Sequence, residues 1–150
     1  MSINNNNEIL RYVAIEIPIN ATGQNNFPDQ SQLRGALIQS VELLTPDIAP
    51  VSPITQNSNV APLADLQKMT ISLVQGSDVF AMNMPILSLN PNATPTGSTP
   101  YKLERELFSN RIIDWNQCYV RIQGEPNTAN EIVSLGIYYF WPNNTQPKPY

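Results

Sequence analysis

The stretch "LQKMTISLVQGSDVFAMNMPILSL", residues 66–89, decides the class of fold because it has the pattern of two strands joined by a tight turn. Apolar and polar side chains alternate up to Gln75, with the apolar set at Met69, Ile71 and Leu73. A period of two places such side chains on one face of a β-strand, whereas an α-helix would need a period near 3.6. A Gly-Ser-Asp turn begins at Gly76, and extended structure resumes after it. The stretch therefore predicts a β-hairpin.

Five further segments outside the hairpin have strand character. They are residues 9–17 (closed by Pro18), residues 35–44, two pieces at 111–115 and 118–124 around a kink at Asn116, and residues 131–141. In the second of them, alternation predicts that Leu37 and Val41 share one face, opposite to Ile38. Between the first two, "NATGQNN" at residues 20–26 has the composition of a turn. The apolar sets of the clearest strands predict a core that includes Ile71, Leu73, Ile122, Leu135 and Ile137.

Two long connections separate these strands. Residues 45–62 contain four prolines, which exclude both a helix and a central strand, and residues 90–100 consist almost wholly of Pro, Asn, Ser, Thr and Gly. Only "YKLERELF", residues 101–108, has helical character, for one or two turns at most. Six to eight strands without βαβ alternation or internal repeats predict an all-β protein, an antiparallel two-sheet sandwich or jelly roll.

The composition limits the partners of this domain. A chain of 150 residues has the usual length of one domain, and only 13% of its residues are charged, against roughly 25% in an average soluble protein. Its net charge is −4, and its eight basic residues are scattered singly. Because no Lys/Arg cluster is present to neutralise a row of phosphates, we expect no binding to nucleic acid.

The chain lacks the residues on which most catalytic sites depend. It contains no histidine, and Cys118 is its only cysteine. These counts exclude Ser-His and Cys-His nucleophile pairs, CxxC metal sites and an internal disulfide. We therefore expect no enzyme activity, no cofactor and no bound metal. The first ten residues have neither a basic n-region nor an apolar run, so we expect synthesis in a cytoplasm without a signal peptide, and the free thiol fits that compartment.

Asp114 and Trp115 are the residues that most resemble a catalytic or sugar-binding site. Glycoside hydrolysis needs two facing carboxyl groups roughly 5–10 Å apart, and Glu104 or Glu106 is the nearest partner in sequence. The alternative is that Trp115 fills the core at the end of a strand while Asp114 caps a turn, and we favour it. Cys118 lies in an alternating segment and is expected to be a packed thiol.

The segment "FPDQSQLRG", residues 27–35, joins two predicted strands and carries an aromatic, an acid and an arginine. We expect Phe27 to pack into the core and Pro28 to stiffen the turn. Asp29 can accept backbone N–H groups, and Arg34 can reach a carboxylate or carbonyl across a subunit junction. Arg34 as an ordinary surface side chain is the equal alternative.

The order of these segments resembles that of small virion proteins from tailless, membrane-containing icosahedral phages of Bacteroidota hosts, the finnlakevirus type. The resemblance rests on "IPIN", "FPDQSQLRGALIQSVELL", "ADLQKMTISLVQGSDVFAMNMPILSLNPN" and "IIDWNQCYVRI", which together span residues 15–122. The chain departs from that group in having Ile86 before Leu87 and a long loop at residues 90–100.

The polar composition of the two ends predicts a flexible N-terminal arm at 1–8 and an extended C-terminal tail at 142–150. The resemblance implies that residues 9–141 between them form a single jelly roll. It further implies a structural virion protein, a capsid vertex (penton) or minor capsid protein, located in the virion and made in the cytoplasm of a bacterial host. Its partners would be further copies of itself, as a homopentamer, a neighbouring major capsid protein and a spike protein. The candidate subunit-interface residues are Phe27, Asp29, Arg34, Asp114, Trp115 and Tyr150.

One alternative of a different class stays open. A carbohydrate- or receptor-binding module, such as a spike or fibre head, would use the exposed faces of Trp115, Trp141 and the tyrosines. The mass of the protein in solution distinguishes the two hypotheses, because a stable monomer that binds glycans fits the binding module and not the capsid protein.

Overall fold

Seven β-strands, one short helix and three 3-10 turns make up the part of the chain that the computed structural model describes, residues 9–20, 22–46, 59–90, 108, 111–126 and 130–141. The strands are β1 (Arg11–Ile19), β2 (Gly23–Asn26), β3 (Leu37–Leu44), β4 (Met69–Gln75), β5 (Asp78–Pro85), β6 (Tyr119–Ile122) and β7 (Glu131–Phe140). The helix α1 is Leu63–Leu66, and the 3-10 turns are Ser31–Leu33, Ile86–Leu89 and Trp115–Gln117. The predicted arm at 1–8, the tail at 142–150 and all of the predicted helix at 101–108 except Phe108 lie outside the described residues.

The strands form two antiparallel sheets, one in the order β1-β7-β3 and the other in the order β2-β6-β4-β5. Their pairing is nested along the chain: β1 pairs with β7, β2 with β6, and β4 with β5. β3 follows the same pattern, because Ile38 forms an isolated bridge to Arg111. Along the chain, this pair lies inside the β2–β6 pair and outside the β4–β5 pair. In such an arrangement the first strand pairs with the last, the second with the next to last, and so on toward the middle of the chain. A long hairpin of this kind, rolled into two sheets, is a jelly roll. The predicted all-β fold, a two-sheet sandwich with jelly-roll order, is confirmed.

The core lies between the two sheets and is mainly aliphatic, with four buried aromatic side chains. All five predicted core residues are buried, with at most 1% of their surface exposed: Ile71, Leu73, Ile122, Leu135 and Ile137. From β1 and β3, Ile17 and Val41 meet them with no exposed surface at all. Each such side chain contributes on the order of 1.5–3 kcal/mol to folding, so the free energy of unfolding depends mainly on this layer.

The predicted faces of β3 are wrong at its first two residues, Leu37 and Ile38. Ile38 is fully buried and Leu37 only partly, the reverse of simple alternation. The reason is a β-bulge: Ile38 pairs with Tyr139 and Ser40 with Tyr138, so the intervening residue has no opposite partner. One extra residue shifts the phase of the side chains, and Ile38 and Val41 therefore both point into the core.

Two predicted boundaries near the N-terminus also need correction. β1 does not end before Pro18 but continues through it to Ile19, because β1 lies at the edge of its sheet and a proline there removes no hydrogen bond between neighbouring strands. The predicted turn at residues 20–26 contains the short strand β2, which pairs with β6. The sequence did not predict β2, because it is rich in Gly and Asn and neither residue favours strands.

The second half of the central hairpin is less regular than predicted. β4 and β5 form the hairpin, but β5 ends at Pro85 and a 3-10 turn follows. Two register shifts interrupt its pairing with β4, and Asn83 adopts a positive φ of 51°. The Asn83 N–H donates to the Ser72 hydroxyl at 2.9 Å, which satisfies a polar group with no exposed surface on the outer side of the sheet.

The predicted strand piece at residues 111–115 is wrong, since only Arg111 pairs there, and the expected kink at Asn116 is a 3-10 turn. The predicted strands at 35–44 and 66–75 begin later than expected, at Leu37 and Met69. Helix α1 occupies the residues just before β4.

The aliphatic layer gives the first prediction. Leu73→Ala removes a fully buried side chain from the centre of β4 and should lower the free energy of unfolding by about 2–5 kcal/mol, because the cavity cannot collapse between two sheets. The measurement is urea unfolding followed by tryptophan fluorescence. Met82→Ala, at a side chain that is 65% exposed, is the control and should change stability little. A Leu73→Ala protein as stable as the control would contradict the assigned core.

Candidate interaction site

Three short connections meet at one end of the sandwich and carry the candidate residues. The first is residues 27–36, which link β2 to β3; the second is the β4–β5 turn at Gly76; the third is residues 112–118, which precede β6. Strand register aligns them, because the last residue of β2, Asn26, lies opposite the first residue of β6, Tyr119. Candidate residues that are far apart in sequence therefore lie together here.

Phe27 and Trp115 form the buried base of this end. Each has 4% of its surface exposed, and their rings stack at a centroid distance of 5.9 Å and an interplanar angle of 26°. The Phe27 N–H donates to the Cys118 carbonyl at 3.1 Å, which ties the first connection to the third. Phe27 packs into the core as predicted, and Trp115 fills the core rather than presenting a ring face to solvent.

Asp114 fastens the third connection to the β4–β5 turn. Its N–H donates to the Val74 carbonyl at 2.9 Å, and its carboxylate accepts a short hydrogen bond from the Gly76 N–H. Gly76 itself has a positive φ of 62°, a conformation that glycine adopts without strain. Asp114 thus caps a turn, as we favoured from the sequence.

Cys118 lies beneath Asp114 as a packed thiol. The thiol donates to the Asp114 carbonyl and accepts from the Val74 N–H, both at 3.4 Å. Burial raises its pKa to about 12; the Val74 N–H opposes that rise, and the negative charge of Asp114 adds to it. The thiol is therefore neutral at physiological pH and is a poor nucleophile.

The connection at residues 27–36 contains a single 3-10 turn, Ser31–Leu33. Leu33 packs into the core with no exposed surface. Gly35 has a positive φ of 83°, and the chain turns there toward β3. Gln30 is 8% exposed and well bonded: its amide donates to the Pro28 carbonyl and accepts from the Gln32 amide.

Arg34 and Asp29 pair with each other within this connection. The guanidinium nitrogen lies 3.4 Å from the carboxylate oxygen, and the two side chains are 76% and 70% exposed. An exposed pair of this kind contributes roughly 0–1 kcal/mol to the stability of the monomer. Both charged groups therefore remain accessible to a partner.

These residues enclose a cleft of about 230 Å³. It is lined by Asp29, Gln30, Arg34, Ile113, Asp114, Trp115 and Asn116. Four of the six candidate residues line it, Phe27 lies beneath it, and Tyr150 lies outside the described residues. Sequence reasoning missed Gln30, Ile113 and Asn116, although all three lie next to a residue that it singled out.

The side chains that line the cleft are mostly polar or charged. Within the described ranges, no three Cys, Asp or Glu side chains lie close enough to hold a metal ion. The Trp115 indole N–H is buried without a hydrogen-bond partner, and the ring as a whole has only 4% of its surface exposed. An arginine, two carboxylates and two amides can recognise peptide groups and charged side chains of another chain.

A second cluster that the sequence did not reveal braces the same end. The Arg111 guanidinium lies 4.3 Å from the centre of the Phe80 ring, donates to the Gln75 side chain at 2.9 Å and lies 3.6 Å from the Asp78 carboxylate. Because Arg111 also bridges to β3, the cluster joins the β4–β5 hairpin to the other sheet. The only available signal was a basic residue just before the candidate segment.

No family model, curated protein or solved structure matches the chain. Among the residues that the structure describes, none of the helices is long and apolar enough to cross a membrane.

The buried thiol gives the second prediction. In the native protein at pH 8, Cys118 should react with a disulfide reagent at least tens of times more slowly than in urea, because it is inaccessible and its raised pKa keeps it protonated. The measurement is the rate of release of the coloured thiolate from the reagent, with the urea-unfolded chain as the matched reference. Rapid, complete labelling of the native protein would show that this end opens readily.

Proposed function

We propose that this protein is a structural virion protein, a capsid vertex (penton) subunit that assembles as a homo-oligomer through the end of the sandwich that carries the cleft. One observation supports the proposal best: the cleft, the start of β1 and the end of β7 all lie at the same end of the sandwich. The start of β1 and the end of β7 lie side by side there, with Arg11 opposite Tyr139. Because Leu37, which follows the cleft residues, lies opposite Phe140, the chain enters β1 and leaves β7 at the end of the sandwich that carries the cleft.

Exposed apolar side chains at the same end support contact with another chain. Ile9, Leu10 and Tyr12 at the start of β1 are 49%, 54% and 47% exposed. Ile112, next to the cleft, is 39% exposed. Exposed apolar side chains together with accessible charged groups at one end of a domain have the composition of a protein–protein interface, in which the charged groups set specificity.

The jelly roll supports the same proposal, although it hosts several functions. Jelly rolls form viral capsid and lectin domains, so the fold leaves both proposed classes open. A carbohydrate-binding head is the weaker candidate, because Trp115, the one aromatic residue that lines the cleft, is almost fully buried and offers no ring face to a sugar. The neighbouring major capsid protein and a spike protein are further partners under this proposal.

The third prediction tests whether the cleft is a subunit junction. Arg34→Ala should leave the monomer folded but weaken the oligomer, because breaking an Arg–carboxylate pair that assembly has buried costs about 3–5 kcal/mol. The measurements are oligomer mass against protein concentration, by light scattering, and thermal unfolding of the same samples. Arg121→Ala, at an exposed arginine in the middle of β6, is the matched control.

Equal masses for the two variants at every concentration would remove the cleft from the interface. A stable monomer that binds glycans in an array would favour the spike or fibre reading, and Arg34→Ala would then be expected to reduce glycan binding.

A further inference from the structure

Among the strands that the structure describes, none lies beside the outer edge of β1. β1 is nine residues long and lies at the end of the order β1-β7-β3. Its pairing with β7 is regular from Arg11 to Ile19, without a register shift. Within the described residues, no other strand pairs with it, and no loop hydrogen bond reaches it. It therefore presents a straight row of backbone donors and acceptors, the template on which another strand can pair.

The other sheet edges are protected in ways that β1 is not. β5 has two register shifts and a residue at positive φ, Asn83, which bend its edge. β2 has only four residues, and β3 bridges to Arg111. In β1 the only such device is Pro18, one residue from its end. The contrast singles out β1 as the edge that is open to pairing.

The exposed side chains at the start of β1 are largely apolar, which favours burial in a contact with another chain over exposure to water. Three of the seven large apolar side chains that are exposed in the described residues lie on β1 or just before it, namely Ile9, Leu10 and Tyr12. Its residues 11–17, Arg-Tyr-Val-Ala-Ile-Glu-Ile, are rich in the β-branched and aromatic types that favour strands.

The best strand to pair with this edge is β1 of a second copy. The two terminal segments are poor strand formers, because residues 1–8 are rich in asparagine and residues 142–150 contain three prolines; two prolines in residues 47–58 and three in residues 91–100 disfavour strands there too. β5 and β2 of another copy are bulged or short. We propose that two copies pair antiparallel along β1, about a twofold axis through Ala14, and so join their three-stranded sheets into one sheet of six strands.

Symmetry and chemistry together select Ala14 as the centre. Opposite residues in an antiparallel pair lie on the same face, so a twofold axis must relate residues whose numbers differ by an even amount. An axis at Ala14 places two small side chains opposite each other on the outer face. An axis at Tyr12 or Glu16, the neighbouring positions on that face, would instead oppose two bulky rings or two like charges.

This contact goes beyond the proposed function and does not depend on it. The edge contact rests on the backbone of β1, whereas the proposed junction rests on the cleft and the charged pair of Arg34 and Asp29; the two share only the exposed apolar side chains at the start of β1. Either contact can fail while the other remains, and their tests use different variants.

The fourth prediction tests the register by cross-linking. In the proposed dimer the two Ala14 Cα atoms lie about 4.5–5.5 Å apart, inside the about 4.4–6.8 Å that a disulfide spans. Ala14→Cys should therefore form a covalent dimer under mild oxidation, seen on a non-reducing gel. Tyr12→Cys is the control, because its two copies would lie four residues out of register, roughly 13 Å apart, and should not cross-link. The buried Cys118 is the same in both variants.

A companion variant tests the edge without oxidation. Ala14→Lys places two like charges opposite each other on the outer face and should abolish the dimer in sedimentation velocity experiments while the thermal midpoint of the monomer changes little. Met82→Lys, on the bulged edge strand, should leave the dimer intact. The expected result is cross-linking of Ala14→Cys but not of Tyr12→Cys, with loss of the dimer in Ala14→Lys alone. A monomeric parent protein, cross-linking of Tyr12→Cys, or a dimer unaffected by Ala14→Lys would each overturn the proposal.

Discussion

Hydrogen bonding on both edges of β7 is the constraint on which the rest of the structure depends. β7 lies between β1 and β3, and residues 59–61 continue its pairing where β3 ends. Its inward side chains Val133, Leu135 and Ile137 have no exposed surface. The last strand of the chain thus holds the first strand in place, and the jelly roll cannot close until the whole chain is available. Such long-range pairing favours slow folding.

The same closure positions the candidate site. Each connection at that end is held by a hydrogen bond to another: Phe27 to Cys118, Asp114 to Val74, and Gly76 to Asp114. Buried Phe27 and Trp115 support these bonds from below. The charged groups of the cleft therefore project from a firm base, although Arg34 and Asp29 are themselves mostly exposed. Rigid support under accessible polar groups is the arrangement that specific recognition needs, because little ordering is left for the moment of binding.

Two surfaces thus emerge with different physical character. The cleft is polar and lies on loops, so it is suited to recognition by charge and hydrogen bonding. The edge of β1 consists of backbone groups and apolar side chains, so it is suited to pairing with an extended strand. Under the two proposals made above, one subunit would form contacts of two symmetries.

The sequence by itself determined the class of fold, the main strands and most of the core, because an alternation of period two is a local property of residues such as Ile71 and Leu73. It also identified most of the cleft, from unusual residue types in short connections. Tertiary structure alone decided the face of Ile38, since a bulge is defined only against the partner strand. It also revealed strand β2, whose glycine and asparagine residues have low strand propensity and which is stabilised by pairing with β6. It likewise decided that Asp114 meets Gly76, and that the edge of β1 is left open, because contacts between residues distant in sequence are set by the order in which strands pair.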